Sequence, residues 1–185
     1  MKRPAAMMIK LFWLSLCLVT VPAASAQETT PEKRIKAAFL YKFSLYVEWP
    51  DETFAGPADP IVIGVVGDIA IAKELQRVTA GRDVKQRPLQ VRFYRDDITP
   101  AGVHLLYIDG RDGATRQTVL ERLQDKPVLL VTDDPGGLAT GSSVNFVVEG
   151  DRVRFDISLI AAEAQQLRIS SRLLAVARQV RRAQP

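Results

Sequence analysis

The amino-acid sequence predicts a single α/β domain: a mostly parallel sheet flanked by helices on both faces, with a C-terminal antiparallel hairpin and two terminal helices. Three observations carry this expectation. Short apolar runs at 61–66, 103–108 and 128–131 have the pattern of strands covered on both faces. Helical segments lie between such runs, and strands alternating with helices argue for parallel pairing. Finally, two alternating apolar runs at 144–148 and 153–157 meet at Glu149-Gly150-Asp151, as the arms of a hairpin do.

Each element has its own local reason. Residues 31–49 read as a helix, because Thr29 and Glu32 have capping-box spacing and Pro31 suits a first turn. Ile35, Ala38, Phe39, Phe43 and Tyr46 share a face, while Leu40, Tyr41, Leu45 and Val47 extend the apolar surface further round. Such a helix is buried on more than one side. It is either sandwiched in its own core or shared with a second subunit. Trp49-Pro50 ends it, since a residue before proline avoids the helical region. Asp68 caps a second helix reaching Thr79, with Ile71, Leu75 and Val78 inward. Leu89, Val91 and Phe93 alternate with Gln90, Arg92 and Tyr94, the pattern of a half-exposed edge strand. A helix at 114–123 and a glycine-rich loop at 133–143 precede the hairpin. Two helices near 159–167 and 169–182 close the chain, and Ile169, Leu173, Val176, Ala177 and Val180 form the apolar face of the second.

The first 26 residues resemble an export signal. Lys2 and Arg3 give a positive start, an apolar stretch follows, and Ala24-Ser25-Ala26 is a small-residue cleavage signature. The apolar stretch is shorter than the roughly 20 residues that a membrane span needs. Leu14-Ser15-Leu16-Cys17 approaches a lipobox, but bulky Leu16 sits where a small residue belongs. Cleavage after Ala26 leaves residues 27–185 as one periplasmic domain without cysteine, so no disulfide framework is expected. Lys2, Arg3 and Lys10 leave with the leader, which has no acid, so the formal net charge of +4 falls to +1. Nothing in the remaining charge balance argues for nucleic-acid binding.

Catalytic chemistry has little to work with. The single histidine, His104, lies at a strand end, where a structural role is the simpler account. Ser142-Ser143 and Ser170-Ser171 lack the glycine-flanked strand-to-helix turn of a nucleophile elbow. Asp109, Asp112, Asp133 and Asp134 suit tight turns, and Arg111 between two of them spoils a calcium loop. Gly64-Val65-Val66-Gly67-Asp68 lacks the dinucleotide fingerprint, and Asp68 would repel an anion there. The expectation is a protein that binds rather than converts, with no cofactor and no metal.

Binding expectations centre on the terminal region. Arg178, Arg181 and Arg182 fit the C-terminal end of a helix, whereas Arg168 and Arg172 in its first turn oppose the dipole. Either Glu163 pairs with them internally or an external anion does. The candidate partner- or ligand-binding residues are therefore Glu163, Arg168, Ile169, Ser171 and Arg172.

Several blocks together resemble one family. They are Ile35 to Phe43, Trp49-Pro50, Ile63 to Asp68, His104 to Ile108 and Pro127 to Thr132. The most specific is the last, from Val144-Asn145-Phe146 through Arg154-Phe155-Asp156-Ile157 to Ser170-Ser171-Arg172-Leu173-Leu174. The chain is similar to the YfiR family of periplasmic regulators. That resemblance implies a non-enzymatic homodimer that binds the periplasmic sensor part of an inner-membrane diguanylate cyclase and lowers cyclic-di-GMP synthesis. It further implies relief by an outer-membrane peptidoglycan-binding lipoprotein. The best-known members carry disulfides, and the cysteine-free mature chain departs from them. A second reading stays open: a periplasmic module for a small ligand, such as a cell-wall fragment or an aromatic compound.

Overall fold

The computed structural model describes residues 29–95, 102–110, 113–123 and 126–183. The cleavage signature, Cys17, Arg111 and Asp112 lie outside them.

The first helix, α1 (Pro31–Tyr46), is capped by Thr30, one residue later than the capping-box reading placed it. It stops three residues earlier than the sequence suggests. Val47 and Glu48 are extended and form β1 (Val47–Glu48), paired antiparallel with β9 (Arg168–Ile169) near the other end of the chain. β-Branched Val47 and the approach to Pro50 favour extended backbone, and the pairing with 168–169 completes the break. Ala37, Leu40 and Phe43 are fully buried in the core, while Phe39, Tyr41, Leu45 and Tyr46 are partly buried against it and Ile35 is exposed.

After a 3-10 turn at Asp51–Thr53, the doubly wound body begins with β2 (Ile61–Val66) and α2 (Ile69–Thr79). Asp68 caps α2 as expected, accepting from the amides of Ala70 and Ile71 at 2.9 and 3.1 Å. Next come β3 (Asp83–Val84) and β4 (Arg87–Tyr94), then β5 (Leu105–Ile108), α3 (Gly113–Leu123) and β6 (Leu129–Thr132). The hairpin is β7 (Val144–Glu149) with β8 (Arg152–Ser158), turned at Gly150, whose φ of 58° suits glycine. α4 (Leu159–Ala164) follows, and after β9 a single turn, α5 (Ser171–Leu174), leads to β10 (Gln179–Arg181).

The large sheet runs β10-β8-β7-β6-β5-β2-β4-β3. Its central five strands, β4-β2-β5-β6-β7, are mutually parallel, which is one of the two common doubly wound orders. The hairpin and β3 add the antiparallel pairs. Only two residues of β3 lie beyond β4, whose exposure alternates as the edge-strand reading requires.

Two cores clasp the sheet. On one face α1 and α2 pack with Ile63, Val65, Tyr107, Val131, Phe146 and Phe155. Phe43 lies 5.7 Å from Phe146 and 5.1 Å from Phe155, ring centre to ring centre. On the other face Val119 and Leu123 of α3 cover Val62, Leu106, Ile108 and Leu130.

The expected helix over 169–182 is corrected to one turn and a strand. Residues 168–169 are taken by β1, Ser170 caps only α5, and the amide of Arg178 donates to the Phe155 carbonyl at 2.8 Å to start β10. A short isolated helix is marginal, and strand pairing at an open sheet edge outweighs it. Of its expected apolar face only Leu173 is buried, and Val176 is 60% exposed. The buried carboxylate of Asp156 is a further reason, because Arg178 grips both its oxygens. The helix before it is also shorter than 159–167, ending at Ala164 with Gln166 left-handed at φ 59°.

Candidate functional site

Two polar clefts frame the molecule. The first opens where the carboxyl ends of β2, β5 and β6 diverge, the crevice in which doubly wound folds place ligands. It encloses about 500 Å³, lined by Glu32, Lys33, Lys36, Asp68, Tyr107 and Asp133 with Ile71 and Val148. An aspartate follows each of the three strands: Asp68, Asp109 and Asp133. Two lysines one turn apart on α1 reach down to them. Lys33 Nζ lies 2.8 Å from Asp68, and Lys36 Nζ donates to Asp133 at 2.8 Å and also pairs with Glu32. The Tyr107 hydroxyl donates to Asp133 at 2.8 Å and the Gly110 amide at 2.5 Å.

This network is mutually satisfied and buried at its centre, with Glu32 half exposed at its edge. Lys36 is only 5% exposed. Burial pushes its ammonium down, but the bonds to Asp133 and Glu32 outweigh that and hold it above its usual range. Burial likewise works to raise Asp68, yet Lys33 and the two α2 amides leave it below the usual carboxylate range. Burial first, and then the charge of Asp133, pushes the Tyr107 phenol up. Among the described residues no group of three or more His, Cys, Asp or Glu side chains is placed to hold a metal ion.

The second cleft holds most of the residues expected from sequence. Arg168, Ile169, Ser171 and Arg172 line a space of about 450 Å³ together with Leu45, Tyr46, Glu48, Lys85 and Ser170. Register places Arg168 opposite Glu48 across β1 and β9. Lys85 Nζ donates to Glu48 at 2.9 Å, and that bond, with the charges of Lys85 and Arg168, holds the carboxyl below its usual range. The helix-dipole argument for Arg168 and Arg172 falls away, since Arg168 is in a strand and α5 is one turn long. Glu163 is exposed on α4 and is not among the lining residues. Among the described residues it forms no ion pair with Arg168 or Arg172. The carboxylate beside Arg168 is Glu48.

Lys85 belongs to this site without a signal of its own type in the sequence. It lies in the two-residue turn between β3 and β4, where Lys85 and Gln86 have φ of 50° and 65°. Such turns favour Asn-Gly, and each left-handed residue with a Cβ costs about 1–2 kcal/mol. The clue available from sequence was a Lys-Gln pair inside an otherwise ideal hairpin spacing.

His104 has the structural role expected of it. Its Nδ1 accepts from the Val62 amide at 3.0 Å, and its ring stacks on Phe54 at 4.7 Å. Burial, followed by the charges of Arg87 and Arg92, lowers its pKa against a weaker bond to Thr53. Ser142 and Ser143 are buried beside Thr132 and Gln165 and serve the loop, while Ser170 Oγ caps α5.

Doubly wound sheet, charge-paired switch-point crevice and basic terminal cleft together define a small α/β domain. The model of the YfiR/HmsC-like family (DUF4154) matches residues 33–178, and the chain belongs to that family. The family comprises periplasmic regulators of cyclic-di-GMP signalling, regulatory rather than catalytic. No curated protein matches the chain. Among the described residues no helix is long and apolar enough to cross a membrane.

Proposed function

We propose that this protein is a non-enzymatic periplasmic repressor. It binds the periplasmic sensor part of an inner-membrane diguanylate cyclase and lowers cyclic-di-GMP synthesis. The observation that carries the reading is family membership over residues 33–178, which spans both clefts. The residues assigned to partner binding are Glu163, Arg168, Ile169, Ser171 and Arg172. The polar members act at the surface, and half-buried Ile169 fixes the strand that presents them. Export with cleavage after Ala26, homodimerisation and release by an outer-membrane peptidoglycan-binding lipoprotein complete the proposal.

The test compares cellular cyclic-di-GMP in wild type, a deletion strain and an Arg172→Glu strain. Deletion raises the nucleotide level, and the folded Arg172→Glu protein restores repression poorly, because charge reversal at an exposed site spares folding and weakens docking. Unchanged nucleotide on deletion, with the cognate cyclase expressed, refutes the regulatory reading. A second reading, a small-ligand module, draws support from the switch-point crevice, whose 500 Å³ is the size of ordinary ligand pockets.

A further inference from the structure

We propose that the cleft between β1, β9 and the β3–β4 turn docks an acidic, carboxylate-rich peptide segment, and that Lys85 is an anchoring cation beside Arg168 and Arg172. The inference rests on the regulatory reading above and names the chemistry that the partner presents.

Charge complementarity is the first support. Three cations, Lys85, Arg168 and Arg172, share the cleft with one carboxylate, Glu48. Glu48 is engaged by Lys85 and lies beside Arg168, while Arg172 has no ion pair among the described residues. Guanidinium groups present a planar fork of donors that matches a carboxylate. Ser170 and Ser171 add hydroxyls, and Tyr46 and Ile169 supply a short apolar strip. A space of about 450 Å³ suits a few side chains of an extended segment rather than a domain face. The Lys85–Glu48 pair has 60% and 55% exposed side chains, so an incoming carboxylate displaces Glu48 at little cost.

The second support is independent and lies in the backbone. Among the described residues only Lys85, Gln86 and Gln166 are left-handed without being glycine. Lys85 lines this cleft, Gln86 follows it in the same turn, and Gln166 comes two residues before Arg168 in the chain. The sheet has no need of this strain at the turn, because Asn-Gly makes the same connection without it. Strain retained at one place on a surface points to a function that uses it. Here the turn holds Lys85 on Glu48, the residue that Arg168 faces across the β1–β9 pair.

The test uses purified protein and a dye-labelled hexaglutamate peptide, read by fluorescence anisotropy at low ionic strength. Hexaglutamine serves as the neutral control, and phosphatidylglycerol vesicles test for a membrane surface instead. Hexaglutamate binds and is weakened by salt. Lys85→Ala reduces its affinity about three- to tenfold, Lys85→Arg restores it, and Lys85→Asn with Gln86→Gly loses it while melting no lower than wild type. Equal binding of hexaglutamine, unchanged affinity in Lys85→Ala, or vesicle binding in place of peptide binding overturns the inference. The cellular assay separates the two levels. Full repression by Lys85→Ala alongside failure of Arg172→Glu refutes the role of Lys85 alone. Peptide binding with no effect of deletion on cyclic-di-GMP refutes the repressor and leaves the docking surface standing.

Discussion

Replacing Lys36 by methionine tests whether the switch-point network holds α1 to the sheet. The lysine side chain is 6% exposed and Asp133 14%, so the pair is screened weakly by water. Methionine keeps an unbranched apolar stem and removes the charge together with its hydrogen bonds to Asp133 and Glu32. Asp133 then keeps the Tyr107 hydroxyl and the Gly110 amide but loses its counter-charge. Breaking a buried pair by deleting one partner costs about 3–5 kcal/mol, and the two remaining donors argue for the lower end, about 3 kcal/mol. With a urea m-value of about 2 kcal/mol/M, that moves the midpoint down by roughly 1.5 M. Lys85→Met is the matched control: its pair is more than half exposed, and the change costs under about 1 kcal/mol. A loss below about 1 kcal/mol for Lys36→Met refutes a stabilising clamp.

Two further outcomes follow from the packing and the titrating groups. His104 is held below its ordinary value of 6.5, so the unfolded chain binds more protons and stability falls as pH drops below about 6.5, levelling off beneath the folded pKa. Asp68, lowered from 3.8, adds a second loss below about pH 4, and urea midpoints measured across pH in wild type and His104→Gln separate the two. A Cβ on Gly137 would lie 2.2 Å from Thr132 Oγ1 and 2.4 Å from Asn145 Oδ1, both within a buried hydrogen-bonded set. Gly137→Ala therefore destabilises by about 1–3 kcal/mol in chemical denaturation, and a neutral result contradicts that tight approach.

Legibility in the sequence followed the range of the interactions involved. Ile61–Val66 and the 144–157 hairpin could be read because continuous or alternating apolarity has few other causes. Asp68 was legible as a cap because capping is local. The last helix was misread because Ile169, Leu173, Val176 and Val180 do repeat at helical spacing, while what decides against it, β1 and the edge of β8, lies far away in the chain. The same limit applies to the sites. Arg168 and Arg172 stood out as unexplained charges, but Lys85 joins them only through a turn between distant strands. Nothing local marks Lys36 for burial, because the Asp133 that meets it lies 97 positions away.

The way α1 is fastened has a consequence for when the fold becomes complete. Near its start Lys36 is tied to Asp133, and just past its end β1 is tied to 168–169. The earliest described helix is thus secured by segments synthesised late, and its central phenylalanines wait on Phe146 and Phe155. A partly emerged chain holds an apolar helix with no place to bury it. Assembly is accordingly a late and concerted event, slow in the manner of folds rich in distant contacts, and the emerging chain stays competent for threading until its final third is available.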